Sequence, residues 1–354
     1  MKKELLIASA LTASFGLANV AEAATASYSG HIKSGVTGKD LDSTSTGNST
    51  YSGNNLSHFA ISISETTDSG IKISTGFTVI NESTSAVNNS GLTLTFTDGS
   101  ALDLISAGNA YGGHLATVPG ASGEMGVSDT SSNHAPTDLD WADTSDAVGF
   151  DWSSAADFGG IDGLTVGLSG AFGDDGDVSS AATADTSYSV GATLVTTAGD
   201  STVTVGGGFI LAGTSNQFAT NDMANSAAVS ASAVTGDLSL GVGYSTGSGL
   251  HDSDGATAGQ TDSASIVKVG AKYVSGDITL AVGYLDGEAK DSVAPETDGA
   301  SVDATTQTSA SISYAVASGV TAILGYTDRE NTDEGTAQTE HSGTSWYVGA
   351  TVSF

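Results

Sequence analysis

Apolar and polar residues alternate along most of this chain. In residues 163–172 (GLTVGLSGAF), Leu164, Val166, Leu168 and Phe172 share one parity, while Thr, Gly, Ser and Ala occupy the other. A sustained period of two is typical of a β-strand that has one apolar and one polar face. The pattern therefore predicts an all-β protein.

Sixteen segments follow this pattern, and their connections alternate between tight turns, such as 236–237 and 276–277, and long stretches rich in Gly, Asp, Ser, Thr and Asn. The predicted strands are residues 27–36, 57–64, 71–80, 92–97, 102–107, 147–152, 164–172, 186–195, 202–211, 227–234, 238–245, 265–274, 278–285, 308–316, 320–327 and 344–354. An even strand count with alternating loop lengths is typical of a transmembrane antiparallel β-barrel, which has short periplasmic turns, long external loops, an apolar outside and a polar lumen. We therefore predict a sixteen-stranded barrel.

The N-terminus has the pattern of a secretory signal peptide. A basic start, MKK, precedes an apolar stretch at 5–20, and AEA at 21–23 supplies an A-x-A cleavage site. We expect residues 1–23 to be removed and 24–354 to form one outer-membrane barrel domain. A second A-x-A at 24–26 would move the cleavage point by three residues, and a retained N-terminal anchor is the alternative.

Composition and charge exclude several classes of protein. Among 354 residues there are 40 Asp and Glu against 9 Lys and Arg, which gives a formal net charge of −31. Nine scattered cations do not make the basic footprint of a nucleic-acid-binding protein. The absence of cysteine excludes disulfide scaffolds, thiolate metal sites and thiol catalysis. At 38% hydrophobic residues the chain is poor in core-forming side chains, but a barrel wall needs only one apolar face.

The few cations share the polar parity of the predicted strands or continue it. A charge that faces lipid at mid-bilayer costs roughly 2–4 kcal/mol, so this placement is expected of any membrane barrel. The predicted lumen-wall cations are His31, Lys33, His58, Lys72, Lys268, Lys272 and Arg329.

The longest predicted connection is 109–146, which has 38 residues and neither Lys nor Arg. Loops of this length are usually functional. We therefore expect this connection to have a function, and its acidic residues are Glu124, Asp129, Asp138, Asp140, Asp143 and Asp146. The alternative is an ordinary external loop in solvent.

Two stretches carry a family resemblance. The chain ends in an alternating strand, WYVGATVSF, whose terminal Phe354 looks like the signal that the barrel-assembly machinery reads in outer-membrane proteins. The stretch AGNAYG at 107–112, followed by the acidic connection and by SDAVGF at 145–150, is similar to the region around loop 3 of general porins. The chain thus resembles Gram-negative general porins, most closely the alphaproteobacterial type.

The resemblance implies an outer-membrane homotrimer of sixteen-stranded barrels. It also implies passive diffusion of ions and small hydrophilic solutes. The third loop, here 109–146, would fold into the lumen, where we predict that its six acids line a pore constriction. The family tends to have an Arg-rich wall, whereas this chain has a single Arg, Arg329. Because rings of charged side chains set ion preference, we expect a mild preference for cations.

No cofactor is expected to be required, although calcium at the loop 3 acids is compatible with the resemblance. Calcium prefers oxygen ligands, and DDGD at 174–177 offers a second group of acids, but no EF-hand spacing is present. Divalent ions bridging acidic loops to lipopolysaccharide are a further hypothesis.

Two other function classes stay open at this point. A barrel hydrolase is disfavoured because no G-x-S-x-G motif is followed by Asp and His in the expected context. An acidic surface adhesin or structural protein would be favoured by internal repeats, and the sequence shows none beyond the hairpin pattern.

Overall fold

The computed structural model describes residues 24–41, 49–81, 85–104, 109–121, 136–140, 149–172, 186–213, 223–248, 263–290, 302–332 and 342–354. The strands are β1 Thr25–Leu41, β2 Ser49–Thr66, β3 Lys72–Asn81, β4 Ser85–Thr95, β5 Ala101–Leu104, β6 Gly149–Ser153, β7 Leu164–Phe172, β8 Thr186–Ala198, β9 Ser201–Gly213, β10 Met223–Thr235, β11 Leu238–Ser248, β12 Ser263–Ser275, β13 Ile278–Lys290, β14 Val302–Ala317, β15 Val320–Thr332 and β16 Gly343–Ser353. A short helix, α1 (Ala110–Gly113), follows β5, and a 3-10 turn (Phe158–Gly160) follows β6.

The strands close into one antiparallel barrel. Each pairs with its neighbours in sequence, and β1 pairs with β16. At this seam the register runs from His31 opposite Ser353 to Leu41 opposite Gly343. Beyond it, Gly30 and Phe354 exchange two backbone hydrogen bonds of 3.0 Å. Closure leaves no unpaired sheet edge, and the sixteen-stranded barrel predicted from the sequence is confirmed.

Tight turns join the strands at one end of the barrel. Between β8 and β9, β10 and β11, β12 and β13, and β14 and β15 the turn has two residues. Each contains a glycine at positive φ, between +55° and +75°, where other residues are strained: these are Gly199, Gly236, Gly276 and Gly319. The tight turns predicted at 236–237 and 276–277 are therefore present, and each of the four turns depends on its glycine.

The two faces of the barrel wall differ in chemistry, and we call them the apolar face and the polar face. Large apolar side chains such as Val205, Val242 and Leu280 are exposed on the first. Small and polar residues such as Ser226 and Ser245 are buried on the second. Exposed aromatic residues on the apolar face include Tyr28, Phe209, Tyr244, Tyr273, Tyr284, Tyr314 and Tyr326.

The predicted ends of many strands were wrong. Residues 37–56 lack apolar alternation and were expected to form a connection, yet Lys39 pairs with Thr50 and Asp40 with Ser49. Strand pairing continues because backbone hydrogen bonds do not require apolar side chains. Conversely, β4 ends at Thr95 instead of 97, because the Phe96 amide donates to the Ser100 carbonyl in a turn.

The two shortest strands flank the long acidic connection. β5 covers Ala101–Leu104 and β6 covers Gly149–Ser153, while residues 105–107 and 147–148 of the predicted strands lie outside the described residues. They pair through four register positions, from Ala101 opposite Ser153 to Leu104 opposite Phe150. This part of the wall therefore offers few backbone hydrogen bonds among the described residues.

None of the helical residues that the structure describes forms a helix long and apolar enough to cross a membrane.

Candidate functional site

The described parts of the long connection, 109–121 and 136–140, pack against the wall, and we call them the loop segment. α1 opens it, with Asn109 as N-cap, whose side chain accepts a 2.7 Å hydrogen bond from the Gly112 amide. The two amides before Gly112 bond to serines of the strands: Ala110 N donates to Ser169 Oγ at 3.0 Å, and Tyr111 N donates to Ser189 Oγ at 3.1 Å. The first turn of α1 is thus held by β7 and β8.

The Tyr111 side chain joins three parts of the molecule. Its ring is fully buried against Ile210 and Ala228. Its hydroxyl donates to the Leu139 carbonyl at 2.6 Å and lies 2.6 Å from Ser226 Oγ and 2.8 Å from Ser245 Oγ. The residue therefore links both described pieces of the loop segment to β10 and β11.

Strand glycines allow the loop segment to approach this closely. A Cβ atom at Gly208 would lie 2.5 Å from the Tyr111 carbonyl oxygen and 2.7 Å from its Cα. Side-chain atoms essentially never come that near to backbone, so a larger residue here must displace α1. At five other glycines a Cβ atom would lie 3.0 Å or less from a backbone atom of the loop segment: Gly191, Gly206, Gly241, Gly270 and Gly287.

His114 fastens the segment to β8 just after α1. Its Nδ1 lies 3.1 Å from the Thr193 hydroxyl, which donates to the His114 carbonyl at 2.7 Å. Because the Thr193 hydrogen is used there, Nδ1 must carry a proton and donate to the hydroxyl oxygen. Burial lowers the pKa of His114 below its usual value. The imidazole is thus neutral and structural at pH 7.

Two of the predicted constriction acids lie in the described residues. Asp138 forms an ion pair with Lys268 of β12, with 2.7 Å between Oδ1 and Nζ. Burial raises the pKa of Asp140, and the nearby Asp138 raises it further, while the Asp140 backbone amide and Lys268 oppose the shift. The ion pair is partly exposed to solvent, so it positions the segment more than it stabilises it.

The remaining predicted acids, Glu124, Asp129, Asp143 and Asp146, lie outside the described residues. The role of all six in a constriction stays a prediction.

The predicted wall cations occupy polar-face positions. On β12, Lys268 and Lys272 alternate with the exposed apolar residues Val267, Val269 and Tyr273. On β15, Arg329 is buried and its Nε donates to Asn331 Oδ1 at 3.0 Å. Parity places His31 and Lys33 of β1, His58 of β2 and Lys72 of β3 on the same face. Lys268 therefore contacts a predicted constriction acid, Asp138, whereas Arg329 forms a hydrogen bond with a residue of its own strand.

Two wall acids were missed by the sequence analysis. Asp103 of β5 and Asp151 of β6 stand opposite each other in register. Asp151 is opposite Ser169, which contacts α1, so both carboxylates belong to the polar face. The Asp103 Oδ1 atom is buried and accepts no hydrogen bond from a described residue. Asp103 alternates with Leu102 and Leu104, so parity alone would have placed its side chain on the polar face.

Two further cations also escaped prediction. Lys39 continues the polar parity of β1, and Lys290 lies 3.5 Å from Glu288 at the end of β13. Across the ranges that the structure describes, no three His, Asp or Glu side chains converge as a metal site would require.

Comparison of the fold with solved structures finds outer-membrane barrels. The trimer form of OmpT, an outer membrane protein of Vibrio cholerae, aligns with a TM-score of 0.61 at 14% identity, covering 94% of this chain and all of that one. The anion-selective porin from Comamonas acidovorans aligns at 0.57 and 13%, covering 94% and 100%. A mutant of the Rh. blastica porin aligns at 0.55 and 13%, covering 93% and 100%.

No curated protein matches the chain in sequence. The family of Gram-negative porins, however, matches residues 6–334, which is most of its length. Together with the closed barrel of sixteen strands, this match accounts for the apolar face, the polar face and the long connection after β5. The chain therefore belongs to the Gram-negative porin family and is a β-barrel of the outer membrane.

Proposed function

We propose that this porin forms a water-filled channel through which ions and small hydrophilic solutes diffuse passively, with a mild preference for cations. The observation that carries the proposal is the attachment of the loop segment to the polar face of β7 to β13. In a transmembrane barrel the polar face lines the lumen. A connection held against that face narrows the lumen.

The loop segment acts as the constriction in this proposal. Its contacts run from Ser169 on β7, through Tyr111 between β10 and β11, to Lys268 on β12. Such a path crosses about a third of the wall and brings acidic side chains in front of it. The described carboxylates of the loop segment, Asp138 and Asp140, would then face the passing solute.

The charge along this path favours cations. Asp138 and Asp140 belong to the segment, and Asp103 and Asp151 face the same side of the wall. Lys268 pairs with Asp138, so these two charges offset each other and the other three carboxylates make up the excess. Because rings of charged side chains determine which ions enter, this local excess of carboxylates attracts cations.

Assembly and partners follow from the family. We propose a homotrimer, as in the trimer form of the Vibrio cholerae protein, in contact with outer-membrane lipid and lipopolysaccharide. Phe354 would serve as the signal for the barrel-assembly machinery. Its backbone completes the pairing with Gly30 at the seam, so the last residue also contributes to closure. Binding of calcium by the loop 3 acids is proposed as an addition that the channel does not require.

Enzymatic activity is not part of the proposal. His114 contacts Thr193, but that hydroxyl donates to a backbone carbonyl and is not activated as a nucleophile. His31 and His58 stack on each other. Hydrolysis of lipid or peptide by the purified barrel, lost on substitution of one histidine, would overturn this view.

Reversal potentials in a KCl gradient test the proposed selectivity. The wild-type pore should prefer potassium, and replacing Glu124, Asp138 and Asp140 by the corresponding amides should reduce that preference. A matched control replaces Asp200 and Asp237, which lie in tight turns at the other end of the barrel. A clear preference for chloride, or an equal loss in the control, would contradict the proposal.

A further inference from the structure

Two histidines face each other on neighbouring strands of the barrel wall. His31 of β1 and His58 of β2 are partners in the antiparallel register. Their ring centroids are 4.5 Å apart and the ring planes differ by 25°. Both residues are half-buried on the polar face, and the Nε2 atom of His31 is buried. The pair belongs to β1 and β2, whereas the loop-segment contacts described above are with β7 to β13.

The spacing of this pair suits a shared metal ion. Register partners on antiparallel strands have Cβ atoms about 4.5–5.5 Å apart. The χ2 torsion of histidine is broad, so a modest ring rotation turns two stacked imidazoles toward one point at low cost. Neutral imidazole is the commonest metal ligand in proteins and suits Zn²⁺, Cu²⁺ and Ni²⁺.

The neighbours of the pair determine which class of ion fits. His31 is also opposite Ser353 of β16, and His58 is also opposite Ile80 of β3. None of these neighbours is a carboxylate, and Lys33 is the next polar-face residue on β1. Calcium and magnesium, which require several oxygen ligands, are therefore not favoured here. Two nitrogen ligands completed by water select a transition-metal ion.

We propose that His31 and His58 form a two-imidazole site on the barrel wall that binds one divalent transition-metal ion. Affinity follows the order expected for nitrogen ligands, with Cu²⁺ bound more tightly than Ni²⁺ or Zn²⁺. If the polar face lines the lumen, as proposed above, an ion held here adds positive charge beside the diffusion path and lowers cation current. Only this last effect rests on the proposed function.

Calorimetric titration of the purified barrel with Cu²⁺ tests the site directly. Wild type should bind one tight Cu²⁺ per chain, with the signature of two imidazole nitrogens in its electron paramagnetic resonance spectrum. His31→Asn and His58→Asn should each weaken binding at least about tenfold, since even loss of a supporting group around a metal costs that much. The matched control is the double variant His251→Asn and His341→Asn, which leaves the pair intact.

Unchanged Cu²⁺ affinity in the variant that lacks both His31 and His58, or an equal loss in the control, would overturn the proposal. Retention of the folded barrel is checked in each variant by its heat-dependent gel mobility. The second measurement is conductance, which Cu²⁺ should lower in wild type and leave unchanged in the variant that lacks both His31 and His58. A barrel that binds Cu²⁺ through both histidines yet carries no current would support the site and contradict the proposed pore.

Discussion

Removing one hydroxyl group should loosen the loop segment from the wall. In Tyr111→Phe the buried ring stays, but the Leu139 carbonyl loses its 2.6 Å donor. Ser226 and Ser245 are 3.2 Å apart and still bond each other, so the main loss is one buried carbonyl left unsatisfied. Such a loss costs about 1–3 kcal/mol. The undocked population of the segment should therefore rise roughly 5- to 150-fold.

Amide hydrogen exchange of peptides covering 109–121 measures this change. Exchange should accelerate in Tyr111→Phe, while peptides from β10 and β11 keep the protection of the closed barrel. The control is Tyr314→Phe, at a residue that is 49% exposed on the apolar face. Unchanged exchange in Tyr111→Phe, or acceleration of equal size in the control, would refute the view that this hydroxyl anchors the segment.

Three further outcomes are expected. Gly208→Val should displace α1, because its side chain would meet Tyr111 backbone atoms, and should alter single-channel conductance more than the same change at Gly207, where a Cβ meets nothing closer than 3.2 Å. The raised pKa of Asp140 means that this carboxylate takes up its proton at a higher pH than an ordinary aspartate. Cation preference should therefore decline as pH falls, beginning above the ordinary aspartate pKa of 3.8, and Asp140→Asn should remove this part of the pH dependence. Deleting Phe354 should reduce the amount of assembled barrel in the outer membrane, measured by heat-dependent gel mobility, whereas deleting two residues within the 251–262 connection should not.

Sequence alternation was sufficient to predict the strands because one face of each must be apolar and the other polar. The segment 164–172, for example, agrees with β7 at both ends. Where both faces are polar, as at 49–56, alternation disappears although pairing with β1 continues. The sequence therefore locates the part of each strand that has an apolar face and understates its full length.

The attachment of the loop segment was beyond sequence reasoning. Tyr111 lies in the AGNAYG stretch, but its partners Ser226 and Ser245 are more than a hundred residues away and resemble many other serines. Likewise, nothing in the sequence distinguishes Gly208 from other small strand residues, and only the structure shows that it contacts the Tyr111 backbone. These contacts depend on barrel closure, which one strand's pattern does not encode.

The site acids illustrate an intermediate case. Asp138 and Asp140 were predicted because their connection is long and acidic. Asp103 and Asp151 were missed because they lie within short strands, although both have the polar parity. Their pairing becomes visible only when β5 and β6 are aligned in register. Charge along a candidate pore is therefore assigned better from register than from loop composition.

An open aqueous pore through the barrel must conduct ions. Purified protein added to a planar lipid bilayer should produce stepwise, ohmic current increases in KCl. Asymmetric salt should then give a reversal potential that favours potassium. Complete electrical silence of protein that is folded by gel mobility would contradict the pore itself.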